Sequence, residues 1–342
     1  MLKISKENLP ALFAKIAGDK ELYLPVEVAG QVNFGAYNDE AVVRLDALKT
    51  VKSGKDAFFP QFESMYYCKK EGKKIEIVPE KLVDKDFVVF GMKPCDVQGV
   101  KVLDNVYLED PVDSYYASRR DHGTIVALAC NEPDVSCFCK VFGIDASDPS
   151  AADVATWMVG DELYWKAMTE KGEALTAEVK DLLTDGDDAK VEETKTAIKA
   201  IIDKLPNSNL SLDGWDGNAT DAKFNSPVWD NIYKGCLGCG TCTFVCPTCQ
   251  CYDIKDYNTK DGIQRYRCWD SCMYKDFTMM AHGTNRNSQK ERFRQRFMHK
   301  LVYYPSRYDG MYACVGCGRC VDKCPSSLNI VKVIKAFEGG DK

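Results

Sequence analysis

Two near-identical strings lie toward the C-terminus: Cys236-x2-Cys239-x2-Cys242-x3-Cys246-Pro247 and Cys314-x2-Cys317-x2-Cys320-x3-Cys324-Pro325. Eight thiols at this spacing leave few folds open. A tight C-x2-C-x2-C turn brings three thiolates to one [4Fe–4S] cubane, and the fourth Cys, just before Pro, serves the other cubane. The crossed pairing groups Cys236, Cys239, Cys242 and Cys324 around one cluster, and Cys246, Cys314, Cys317 and Cys320 around the other. Gly238, Gly240, Gly316 and Gly318 fall between the ligands, where the backbone must wrap closely and turn its N–H groups toward sulfur. Zinc in a four-thiolate cage fits poorly, since such sites pair two C-x2–4-C hooks rather than two four-thiol runs ending in Pro.

The other composition features set the surroundings. Seventeen cysteines in 342 residues is the anomaly, while an apolar content of 45% is ordinary for a globular protein. The start, MLKISKENLPALFAKIAGDKE, carries acidic residues and no apolar h-region, so a secretory disulfide framework is not expected. Metal-ligating thiols point to a reducing cytoplasm and an anaerobe. No apolar stretch approaches bilayer-spanning length, and a net charge of −6 argues against a nucleic-acid binder.

Length allows two domains. Residues 5–19 read as an amphipathic helix with Ser5 as N-cap and Leu9, Leu12, Phe13 and Ile16 on one face. YLPVEV and QVNFGAY look like strands around a turn. DFVVFGM (86–92) and TIVALAC (124–130) are short, almost fully apolar runs, and the first is followed by the loop KPCD and a helical VQGVKVLDNVY. Such runs alternating with helices suggest buried parallel strands. Residues 173–205 read as two helices broken at Asp185-Gly186-Asp187, and the polar stretch 206–222 as a boundary. The expected architecture is an α/β domain over 1–222, then an α+β two-cluster ferredoxin-like domain over 223–342 with a helical, basic insertion at about 252–313. From Lys260 to Asp309 there are eleven Lys and Arg against five Asp and Glu. KERFRQRFMHK (290–300) reads first as a solvated helix face; the sharper reading places these cations beside negatively charged clusters, or against an acidic partner.

Nine cysteines remain. Cys95 follows one predicted strand, Cys130 closes the other, and Cys137 and Cys139 lie just beyond. If the strands are parallel neighbours, these four thiols converge at their carboxyl edge, where open α/β sheets hold ligands. Four is the ligand count of a further [4Fe–4S] cluster; small buried hydrophobes are the alternative. Cys249, Cys251, Cys268 and Cys272 form a second candidate group, for a cluster or zinc, or else structural thiols around the neighbouring site. Cys68 has no partner in the sequence. No Gly-x-Gly-x-x-Gly follows a strand and no P-loop occurs, so neither a flavin nor a nicotinamide site is expected in this chain. The three histidines are scattered, and no catalytic residue set is suggested.

GMKPCD (91–96), Asp-x-Tyr-Tyr-x-x-Arg-Arg from Asp113, LACNEPDVSCFC (128–139), CLGCGTCTFVCPTCQC (236–251), RCWDSC (267–272), RFRQRFMHK (292–300) and CVGCGRCVDKCP (314–325) together resemble one family. It is that of the 4Fe–4S dicluster iron–sulfur subunits typified by the beta subunit of cytoplasmic sulfhydrogenases and by the corresponding iron–sulfur subunit of anaerobic sulfite reductase. The likeness leaves only 173–205 and 206–222 unmatched. Cys268 departs from the family pattern, which has W-x-S-C with no Cys directly before the Trp. The resemblance implies a soluble, multi-subunit oxidoreductase in which this chain relays single electrons. Its partners would be a flavin- and [2Fe–2S]-containing subunit that handles NAD(P)H and a catalytic subunit of hydrogenase, sulfite reductase or heterodisulfide-reductase type. Two rivals are a catalytic reductase that uses an accessory Cys group and a redox-sensing regulator, the latter supported by the basic insertion alone.

Overall fold

The computed structural model describes residues 1–338. In chain order its strands are β1 (Leu2–Ser5), β2 (Glu21–Val28), β3 (Gln31–Ala36), β4 (Phe62–Glu71), β5 (Lys74–Pro79) and β6 (Phe87–Met92). After these come β7 (Gly123–Leu128), β8 (Val154–Val159), β9 (Glu162–Ala167), β10 (Thr184–Asp185), β11 (Tyr252–Thr259) and β12 (Gly262–Trp269).

Eight strands form one mixed sheet in the order β10-β1-β9-β8-β7-β6-β2-β3. Its centre is parallel: β6 pairs with β2 and β7, and β7 with β8. Every residue of β6 and β7 is buried, as their unbroken apolar sequences require of strands covered on both faces. Val88, Phe90, Val126 and Leu128 point to one face, where the helix Leu9–Asp19 packs with Leu9, Leu12, Phe13 and Ile16. Phe87, Val89, Ile125 and Ala127 point to the other, against the helices Pro94–Tyr107 and Ser114–His122. The first helix starts at Leu9 rather than Ser5. A 3-10 turn over Lys6–Asn8 precedes it, Ser5 makes no side-chain cap, and Pro10 occupies its first turn.

A second sheet, order β11-β12-β4-β5, is antiparallel throughout. It joins two hairpins separated by about half the chain, from Pro79 to Tyr252, and so ties the segments on either side of residue 222 into one sheet. The stretch expected as a helical insertion is therefore a hairpin in its first part, with a 3-10 turn at Asp276–Thr278 and α-helix only from Gln289 onward. The strand signal was present: YDIKDYNT and GIQRYRCW are rich in β-branched and aromatic residues around a Lys-Asp-Gly turn.

The C-terminal core gathers Phe293, Phe297, Leu301 and Val302 with Val333 and Ile334 of the helix Ile330–Glu338. The polar stretch 206–222 also feeds it. Leu210 and Trp215 are buried there, Trp215 meets Phe337 edge-on, and Tyr312 donates to the Trp215 carbonyl. Two apolar anchors thus hold a segment whose composition reads as a linker. Among the described residues no helix is long and apolar enough to cross a membrane.

Candidate metal centres

Each Cys run folds the same way. Gly238 and Gly240 have φ of 67° and 73°, and their counterparts Gly316 and Gly318 have 58° and 75°. These left-handed positions wind the loop around its thiols before a single helical turn, Thr241–Phe244 or Arg319–Asp322. A Cβ on Gly316 would stand 2.5 Å from the Phe138 backbone, and one on Gly318 2.3 Å from Ser136 Oγ. The second run therefore lies directly on the 136–139 loop, and the Phe138 N–H donates to the Gly316 carbonyl at 2.8 Å.

Three small cavities collect the predicted thiols. The first is lined by Cys236, Cys239, Cys242 and Cys324, with Cys320 at its wall. Cys246, Cys314, Cys317 and Cys320 line the second. The third is lined by Cys95, Cys130, Cys137 and Cys139, with Cys317 at its wall. Because Cys320 borders the first two and Cys317 the last two, the cavities stand in a row. Among the described residues no three His, Cys, Asp or Glu side chains close on a single-ion site. Thiols ringing a void match a cubane better than a tetrahedral zinc, which would draw sulfur to about 2.3 Å. Donors to sulfur are in place: Gly238 N–H to Cys236 at 3.4 Å, Leu328 N–H to Cys324 at 3.2 Å and Arg296 Nε to Cys242 at 3.0 Å.

The third cavity forms because β6 and β7 are parallel neighbours, so Cys95 and Cys130 leave the sheet at one edge. Burial pushes all four of its thiols up, Cys139 to about 12. Metal coordination is what would deprotonate them. Of the three cations around it, Arg319 and Lys49 are paired. The Arg319 guanidinium donates twice to the buried Asp96 carboxylate, at 2.5 and 2.8 Å, and Lys49 pairs with Asp134 and Asp322.

The first two cavities are different. Arg296 borders both, and Lys300 borders the second. Arg296 is 2% and Lys300 4% exposed, so the solvated-face reading of 290–300 fails for these two residues. Four-residue spacing puts them on the inward side of the helical segment, between Phe293, Phe297 and Leu301. Lys55, equally buried, donates to the Cys246 and Cys249 carbonyls at 3.1 and 2.9 Å and sits 3.6 Å over the Trp269 ring. Lys300 Nζ donates to Thr248 Oγ1 and the Ala313 carbonyl at 2.7 and 3.0 Å, and Arg296 Nη1 is buried with no partner. Among the described residues none of the three makes an ion pair. Burial pulls the Lys55 ammonium down to about 8. Burial also works against the Lys300 charge, but the Cys246 and Cys249 thiolates outweigh it and hold the ammonium above its ordinary value. Uncompensated buried charge costs several kcal/mol. Three such cations around eight thiols are the electrostatic signature of a site built for a negatively charged occupant.

The accessory group does not assemble as expected. Cys249 turns to Cys246, and Cys251 to Cys272. Cys268 stands apart, beside Lys255 and Asp253. Strand alternation explains this: Arg267 and Trp269 are buried, so Cys268 between them takes the opposite face of β12. Sequence reading also missed Lys55 and the Arg319–Asp96 pair, for which no local pattern exists.

The 4Fe–4S dicluster domain model matches residues 235–328. Sulfhydrogenase 2 subunit beta of Pyrococcus furiosus is 32% identical to this chain over 344 residues, covering 99% of it and 98% of that protein. The chain belongs to the sulfhydrogenase beta-subunit family. It is thus an iron–sulfur oxidoreductase subunit of mixed α/β architecture, with a 4Fe–4S dicluster domain toward its C-terminus. The matching length takes in the N-terminal sheet as well as the dicluster domain. No solved structure matches it.

Proposed function

We propose that this sulfhydrogenase beta-family chain is an electron relay holding three [4Fe–4S] clusters. Cys236, Cys239, Cys242 and Cys324 would hold the first, Cys246, Cys314, Cys317 and Cys320 the second, and Cys95, Cys130, Cys137 and Cys139 the third. When bound, each cluster takes up and gives out one electron. The observation that carries this reading is the row of three contiguous four-thiol cavities, joined through Cys317 and Cys320. One end of the row reaches the surface, since Cys239 is exposed and Leu237 beside it is 69% exposed. That end suits contact with a redox partner.

The chain itself supplies the ligands, the N–H groups that face sulfur, and the cations that offset the charge of the first two sites. The name of the P. furiosus relative makes that protein one subunit of a larger enzyme, and the same is proposed here. A flavin- and [2Fe–2S]-bearing subunit handling NAD(P)H would stand on one side and a catalytic redox subunit on the other, in a cytoplasmic hetero-oligomer. Iron determination on anaerobically purified protein tests the assignment: about twelve irons per chain are expected, and about eight in Cys95→Ser. Unchanged iron in that variant would remove the third cluster, and fewer than eight in the wild type would remove the relay.

A further inference from the structure

A cleft of about 760 Å³ opens at the carboxyl ends of β6 and β7, on the face covered by the Leu9–Asp19 helix. Ligands of open α/β sheets bind at this edge, and small-molecule sites run from about 300 to 1,000 Å³. The walls are apolar and partly aromatic, with Phe13, Tyr37, Leu128 and Met158 among them. Rings and a thioether favour an aromatic body.

Two polar groups in this lining lack partners. Asn131 gives its amide nitrogen to the Met158 carbonyl at 2.6 Å, while its Oδ1 is buried with no hydrogen bond. The Lys93 ammonium has no ion pair or hydrogen bond among the described residues. Asp46 is held by Arg44 at 2.9 and 3.0 Å, and Lys6 by Asp161 at 3.4 Å. Asp39 and Glu132 are exposed and belong to the mouth.

We infer that this cleft binds a small organic anion with an aromatic body, its anionic oxygen on Lys93 and a hydroxyl or N–H group on Asn131 Oδ1. A carboxylate, sulfonate or phenolate meets the first requirement, and the second leaves no buried acceptor unsatisfied. Lys93 also lines the Cys95 cavity, so the occupant lies one side chain from that site. An exchange of electrons there would rest on the three-cluster reading; the binding itself does not.

The test is calorimetric titration of the full-length, anaerobically prepared protein with 6-hydroxynaphthalene-2-sulfonate, with 2-naphthol as the uncharged analogue. One sulfonate binds per chain, and 2-naphthol binds about tenfold more weakly, the worth of one charge-assisted hydrogen bond. Lys93→Gln brings the sulfonate down to the level of 2-naphthol. Ala47→Trp, which fills the cleft, abolishes binding of both. Iron is measured on each variant, which separates loss of a cluster from loss of ligand; if Lys93→Gln loses iron, Ala47→Trp decides. No binding by the wild type, equal affinity for the two probes, or undiminished binding by Ala47→Trp overturns the inference.

Discussion

Arg296 donates from Nε to the sulfur of Cys242 at 3.0 Å, and from Nη2 to the carbonyl of the same residue at 2.8 Å. Its guanidinium also borders the cavity of Cys246. A cation between two electron acceptors stabilises the reduced form of each. Arg296→Gln should therefore lower the potentials of both dicluster sites by on the order of 100 mV, the equivalent of about 2 kcal/mol at an effective dielectric of about 20. Arg296→Lys should shift them much less. EPR-monitored redox titration reads this directly, and unmoved midpoints in the Gln variant would show that the charge is compensated elsewhere.

Removing the metal should melt the C-terminal core selectively. Cys236, Cys242, Cys314 and Cys320 pack against it, while Lys55, Arg296 and Lys300 would be left buried without counter-charge. After chelation, hydrogen exchange should rise across about 236–334 and stay slow in β6 and β7. Uniform loss of protection through both regions would contradict this.

Asp96→Asn should destabilise the chain by about 3–5 kcal/mol, because it strands the buried Arg319 charge. Combining it with Arg319→Met should restore a good part of that loss. Chemical denaturation of the two variants and the wild type makes the comparison, and a double variant weaker than Asp96→Asn would be contrary to it.

Acid should act through His299. Burial, then the charges of Lys300 and Arg286, pull its imidazole down to about 4, against an ordinary value of about 6.5. Between those limits the unfolded chain binds a proton that the folded one refuses. Stability therefore falls as pH drops through that window, by on the order of 2 kcal/mol, less than the full shift because the ring keeps some solvent contact. His299→Gln should flatten this dependence in denaturation midpoints taken between about pH 7 and 5. A slope identical to the wild type would assign the acid sensitivity to other groups.

What could be read in advance follows from the range of each interaction. The thiols of the first two cavities announce themselves because their spacing is a local property of the loop. β6 and β7 are legible for a related reason, since a fully apolar run of six has few places to go. The gathering of Cys95, Cys130, Cys137 and Cys139 needed one non-local assumption, parallel neighbours, which the sheet meets. Arg296 and Lys300 misled because a dense run of cations ordinarily faces water. Their burial depends on thiols some fifty residues upstream, as the contact between Arg296 and Cys242 shows. Cys268 misled in the opposite direction: nearness in sequence to Cys272 counted for less than the pleat of β12. No local pattern pairs β12 with β4, because that ladder joins segments almost two hundred positions apart.

That ladder has a consequence for biosynthesis. The Phe62–Pro79 hairpin emerges from the ribosome long before Gly262–Trp269, the strand that covers one of its flanks. Throughout the interval its amide groups along that side have no native mate, and any nascent neighbour offering an extended segment can take the place. A fragment ending near residue 222 would carry the same exposed border permanently, so it should precipitate where the full-length polypeptide does not.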